Sequence, residues 1–129
     1  MSQKNNNKFT GYDFVKESAG IEEYTLVKNN LRVLVLEDRS APVATFMVTY
    51  HVGSRNEAIG YTGSTHLLEH LMFKGSRNFN KEKNTAIWTE LQNIGAQINA
   101  TTWNDRTNYF EVVPSEHLDK AIAIEADRM

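Results

Sequence analysis

Two of the four histidines in this 129-residue chain fall in the run Thr65-His66-Leu67-Leu68-Glu69-His70. On a helix turning about 100° per residue, His66, Glu69 and His70 lie at about 0°, 300° and 40°, so all three project within an arc of about 100°. One face then carries two imidazoles and a carboxylate. Imidazoles at i and i+4 both reach a single Zn²⁺ through ring nitrogens at about 2.0 to 2.1 Å. Glu69 precedes the second histidine by one residue and shares its face, which places it as a general base. Zinc lowers the pKa of a coordinated water toward about 7, so a carboxylate suffices to take the proton as that water attacks a carbonyl. The order inverts the commoner His-Glu-x-x-His helix, and the inverted pattern is a signature of zinc-assisted peptide hydrolysis. On these residues alone the alternative is a hydrogen-bonded core cluster or a partly exposed ion pair.

Composition narrows the chemistry further. The chain has no cysteine, which removes disulfides, a thiol nucleophile and thiolate metal sites, leaving histidine and carboxylate as ligands for a transition metal. Fourteen Lys and Arg against 16 Asp and Glu give a net charge of −2, so no electrostatic pull toward nucleic acid is expected. Apolar residues at 40% and charged residues at 23% match an ordinary globular protein of one domain. The polar start MSQKNNNKFT lacks the pattern of a secretory signal, and no stretch approaches the roughly 18 apolar residues of a membrane span. A cytoplasmic location is the corresponding expectation.

The elements that must position the histidines follow from local patterning. Residues 1–20 mix Asn, Lys, Ser and Gly without periodicity and read as a polar leader, disordered or draped over the domain. Tyr24 to Lys28 and Leu31 to Leu36 are β-prone runs, and Asn29-Asn30 between them suits a two-residue hairpin turn. Val43 to Val52 is apolar on both faces and reads as a central strand. A glycine-punctuated loop leads to a helix capped by Ser64 or Thr65 and running to about Phe73, with Gly75 as its stop. Leu67, Leu68, Leu71 and Met72 make that helix apolar on most sides, so it is expected to be buried. A second helix is expected over Asn84 to Ile94, stopped by Gly95. Gln97 to Thr101 and Thr107 to Val113 form a second hairpin around residues 103–106, and a last helix opens at Pro114-Ser115. The order predicts an α+β fold: an antiparallel or mixed sheet with helices packed on one face.

The flanks of the motif resemble a known family. Gly53-Ser-Arg-Asn-Glu57, Gly60, Gly63, His66-Leu-Leu-Glu-His70 and Phe73-Lys-Gly75 resemble the core signature of the pitrilysin/insulinase family of inverted-motif zinc metallopeptidases. Gly95-Ala-Gln-Ile-Asn99-Ala100-Thr101-Thr102, then Asp105, Thr107 and Tyr109, resemble the family's Asn-Ala-x-Thr segment, and Ala126-Asp127-Arg128-Met129 resembles the helix that follows. The resemblance implies that His66 and His70 ligate zinc, that Glu69 is the general base, and that residues 21–129 are the amino-terminal part of a catalytic domain. It also implies that Asn99 and Ala100 lie on an edge strand receiving an extended peptide through main-chain hydrogen bonds. For Asn99 the alternative is a hairpin residue bonded to its own backbone. Arg55 and Glu57 read as braces for the loop before the metal helix, and His51 and His117 as structural or solvated.

In the family a third zinc ligand, a glutamate, follows the second histidine by roughly 75 residues, beyond Met129. None of Glu111, Glu116 and Glu125 matches that position. A second homologous domain or subunit is expected to complete the site. The expected activity is zinc-dependent endoproteolysis of extended or unfolded peptides, with this chain as an inactive fragment; the alternative is an inactive peptide-binding or scaffolding homologue.

Overall fold

The computed structural model describes residues 8–129, which divide into two compact units that meet between Ala41 and Pro42. The first is an antiparallel meander of β1 (Tyr12–Ser18), β2 (Ile21–Leu26) and β3 (Leu31–Leu36), in that spatial order. Strand β1 lies inside the stretch expected to be a polar leader, of which residues 1–7 fall outside the described residues. Its alternation is interrupted by a register shift between Phe14 and Lys16, which hides the strand from pattern reading. The tight two-residue turn is Ala19-Gly20, with φ of 52° and 81°, rather than Asn29-Asn30. Leu26 pairs with Leu31 instead, so the second turn spans Val27 to Asn30; Asn29 Oδ1 accepts from the Leu31 amide and Asn30 takes φ 60°. Tyr24 is buried against the edges of Phe9 and Phe14 and forms this unit's core.

The second unit carries the histidine motif. Its sheet comprises β4 (Val43–Tyr50), β5 (Gln97–Thr102) and β6 (Thr107–Pro114), antiparallel in the order β4-β6-β5. The central strand is therefore β6, and the Val43 to Val52 run is an edge among the described residues. Apolar residues on both faces of β4 suggest a covered strand, yet Val43 and Met47 are half exposed. In β6 strict alternation decides: Thr107, Tyr109, Glu111 and Val113 all point into the core. Three helices, α1 (Ser64–Leu71), α2 (Ile87–Asn93) and α3 (Leu118–Arg128), complete the unit. The core joins Ile87 and Leu91 of α2, Ala121 and Ile124 of α3, and Val113 of β6. The antiparallel α+β architecture with helices on one sheet face agrees with the patterning. Helix α2 starts later than Asn84 because Asn84 adopts φ 57° and closes a 3-10 turn over Lys81–Lys83. Gly95, at φ 74°, ends the helical segment as expected. No helix among the described residues is long and apolar enough to cross a membrane.

Beneath the sheet face sits a buried ionic cluster. Arg128 Nε donates to Glu125 Oε2 at 3.0 Å, its Nη2 pairs with Glu125 Oε1, and the same Nη2 reaches Glu111 Oε1 at 3.4 Å. The guanidinium covers the rings of Tyr109 and Phe73, with its centre 4.5 Å and 5.0 Å from their centroids. Burial, and then the neighbouring Glu125, push the Glu111 carboxyl up to about 9. The folded state thus binds a proton that the unfolded state releases, and stability falls as pH rises from about 4.5 to about 9. Glu111→Gln keeps the shape and removes the titration. Thermal melts across that window should show the decline in the parent chain and a flatter profile in the variant; parallel profiles would place the proton elsewhere.

Candidate metal centre

Helix α1 begins at Gly63, which takes φ 89° as its N-cap. Neither Ser64 nor Thr65, the expected caps, fills that place. Instead Glu57 reaches across the preceding loop: Oε2 accepts from the Gly63 amide at 2.8 Å, and Oε1 accepts from the Thr65 amide at 3.0 Å and hydroxyl at 2.5 Å. These bonds satisfy helix donors that lack intrahelical partners and set a negative charge at the positive end of the helix dipole. The Thr65 hydroxyl, then the Thr65 and Gly63 amides, hold the Glu57 carboxyl below its usual range, so the cap stays ionised.

A second brace ties this loop to the sheet. The amides of Ser54 and Arg55 donate to the carbonyls of Trp103 and Asn104 in the β5–β6 turn, at 3.0 and 2.9 Å, and Arg55 pairs with Asp105 at 3.0 Å. Gly53 makes this approach possible: a Cβ there would lie 2.1 Å from the Trp103 carbonyl oxygen and 2.6 Å from the Asn104 carbonyl. Its φ of −156° is ordinary, so the constraint is contact and not backbone strain. Gly53→Ala is expected to destabilise the chain by about 1 to 3 kcal/mol, the usual cost of overpacking. A urea midpoint unchanged from the parent would show that the turn yields without cost.

Between these braces α1 presents the motif. His66 and His70 are exposed, their Nε2 atoms 3.1 Å apart and their rings 4.7 Å between centroids. Glu69 is buried at 7% exposure, and its Oε2 accepts a hydrogen bond from Thr102 Oγ1 at 2.5 Å. One ligand atom from each of His66, Glu69 and His70 lies within 4.8 Å of the others. Two nitrogens held tetrahedrally at zinc distance lie about 3.3 Å apart, so the observed spacing and the nitrogen donors fit a zinc ion. The expectation of a buried helix is corrected: Glu69 alone in α1 is buried, while Leu67, Leu68 and Leu71 are 50 to 59% exposed. Among the described residues the helix meets β5 with one side, and its leucines point away from that contact.

The floor under Glu69 is built from β5 and β6. Ala100 and Tyr109 are cross-strand partners and both are buried; burial pushes the Tyr109 hydroxyl up to about 12. Phe73, just past α1, packs on Tyr109 and Trp88, with centroids 6.0 and 5.4 Å away. Asn99 is exposed on β5, and its Oδ1 accepts from the Ala100 amide at 2.8 Å. The Trp103 amide donates to the Arg106 carbonyl, and alternation along the ladder then turns the Ala100 main chain away from β6, toward the open edge. An open cleft of about 270 Å³ beside His66 is walled by Glu57, Thr65, Thr102 and Trp103.

His51 and His117 do not join this group, and Glu111 and Glu125 are committed to Arg128. Thr102 enters the sequence reading only as the end of the Asn-Ala-x-Thr resemblance, with no partner assigned; the structure bonds it to Glu69. Alternation offers the signal, since Thr102 shares a face of β5 with Ala100 and the helices cover that face.

Comparisons with known proteins point to one family. Residues 32–129 match the family model for insulinase, peptidase family M16. The probable beta subunit of the mitochondrial-processing peptidase of Schizosaccharomyces pombe is 36% identical over 105 residues, covering 81% of this chain and 22% of that protein. The zinc protease PqqE of Helicobacter pylori is 37% identical over 109 residues, covering 83% and 24%. A crystal structure of a protease from Helicobacter pylori superposes with a TM-score of 0.77 at 35% identity, covering 84% of this chain and 26% of that one. The chain therefore spans about a quarter or less of the length of these relatives. With the inverted motif, its supporting strand and the matched sequence in agreement, the chain belongs to the insulinase family of peptidases, M16.

Proposed function

We propose that this chain is the amino-terminal part of a zinc-dependent endopeptidase acting on extended or unfolded peptides. The observation that carries the reading is the 3.1 Å spacing of the His66 and His70 nitrogens on a helix face shared with Glu69. A zinc ion bound there would supply Lewis acidity, activating a water and polarising a peptide carbonyl. His66 and His70 would hold the ion, and a third ligand would come from a glutamate outside this chain. Glu69 takes the proton of the attacking water on Oε1, the oxygen Thr102 leaves free, and delivers it to the departing amine. Strand β5 receives the peptide as an added strand at the Ala100 main chain, with Asn99 orienting it. A second homologous domain or subunit completes the site, so this chain by itself is inactive. The intact His66, Glu69 and His70 count against an inactive scaffolding homologue. The cytoplasmic location expected from the sequence belongs to the same proposal.

The test is cleavage of unrelated disordered peptides by the full-length gene product. Activity should vanish on chelation and return with zinc, and Asn99→Ala should lower kcat/KM by similar factors for every peptide without changing zinc content. Cleavage indifferent to chelation would overturn the metal assignment; an effect of Asn99→Ala confined to one side-chain class would move that residue to a specificity pocket.

A further inference from the structure

We propose that Thr102 is the positioning residue for the Glu69 carboxylate, fixing the base in the frame of the strand that receives the substrate; the inference rests on the peptidase reading above. Glu69 is the single buried residue of α1, and a buried carboxylate requires a donor. Thr102 Oγ1 supplies one to Oε2 at 2.5 Å. Its donor is stiff where the acceptor is not: threonine is branched at Cβ and restricted at χ1, whereas glutamate has three rotatable side-chain bonds.

The position of Thr102 is fixed from several directions. It closes β5 opposite Thr107, whose hydroxyl donates to the Val52 carbonyl at 2.9 Å. The next residue, Trp103, donates its amide to Arg106 and accepts from the Ser54 amide at its carbonyl. Thr102 therefore belongs to the strand and to the brace that also leads through Glu57 to the start of α1.

Ala100, whose main chain faces the open edge, precedes Thr102 by two residues, about 6.6 Å along the strand and on the same sheet face. A peptide added at Ala100 is thereby registered against the residue that aims the base. The hydroxyl donates to Oε2 and leaves Oε1 to receive the proton, so one short strand sets both substrate register and base orientation. No change of bonding at Thr102 is involved.

The experiment compares Thr102→Val and Thr102→Ser in the full-length protein. Valine keeps the shape and deletes the donor; serine keeps the donor. In Thr102→Val, kcat should fall by about 10- to 100-fold, the scale of an ångström-level misplacement, with KM and zinc content unchanged. Thr102→Ser should recover kcat to within a few-fold. Crystal structures give a readout independent of turnover: the Glu69 carboxylate should be displaced in the valine variant and in its parent position in the serine variant. Wild-type kcat in Thr102→Val, or equal losses in both variants, would overturn the inference, the second by assigning the effect to packing. Should the valine variant not fold, a serine variant as impaired as Thr102→Ala would overturn it equally. Glu69→Gln separates the two levels: retained activity there would defeat the peptidase reading itself, whereas an active Thr102→Val beside an inactive Glu69→Gln defeats only the role of Thr102.

Discussion

Glu69→Gln is expected to lower kcat of the full-length protein by about 10²- to 10⁴-fold, the usual contribution of general acid-base catalysis, while zinc content stays at the parent level. The change is confined to one property. Glutamine has nearly the same size, and its amide oxygen still accepts from Thr102 Oγ1, so a site only 7% exposed keeps its hydrogen bond and its packing. What is lost is the basic oxygen that takes up and releases a proton. His66 and His70 are untouched, which separates metal retention from turnover. Metal analysis beside steady-state kinetics checks the expectation, and a variant that retains turnover would remove Glu69 from the role of base.

The second large effect is on the metal. His66→Ala and His70→Ala should each weaken zinc binding by more than the roughly 10- to 100-fold typical of losing an outer hydrogen-bond partner, because each removes a donor atom outright. Their exposure makes the result easy to interpret. Neither imidazole fills a core cavity, so the stability cost should stay within the roughly ±0.5 kcal/mol of ordinary surface changes. Zinc competition against a chromophoric chelator, run beside a urea titration, measures both. Tight stoichiometric binding that survives both substitutions would move the metal site elsewhere.

The parts of this architecture visible in the sequence are those set by local periodicity. The i, i+3, i+4 spacing puts His66, Glu69 and His70 on one face, and Gly95 and the 103–106 turn mark real ends of elements. Long-range partners leave no such trace. Glu57 reads as a brace for this loop, and it is one, but that it caps α1 from eight residues before Thr65 has no local signal. Counting leucines around α1 suggests burial, but a helix is buried by what packs on it, and β5 covers one side only. Strand β1 is hidden by a register shift between Phe14 and Lys16. The expectation for β4 fails for a related reason: two apolar faces indicate where a strand can be covered, not which strands cover it.

The bond from the Ala100 amide to Asn99 Oδ1 bears on how this edge behaves at rest. A strand edge with free donors is a template for indiscriminate pairing, and a self-made bond blunts it without proline or an inserted charge. In the proposed reading, a peptide that took over the Ala100 amide would first displace the Asn99 oxygen, so one hydrogen bond would be exchanged for another. Such an exchange contributes little net free energy, since the amide is satisfied before and after. Under the proposed peptidase reading, a segment able to form several strand bonds in succession would gain enough to open this edge, whereas a single contact would not.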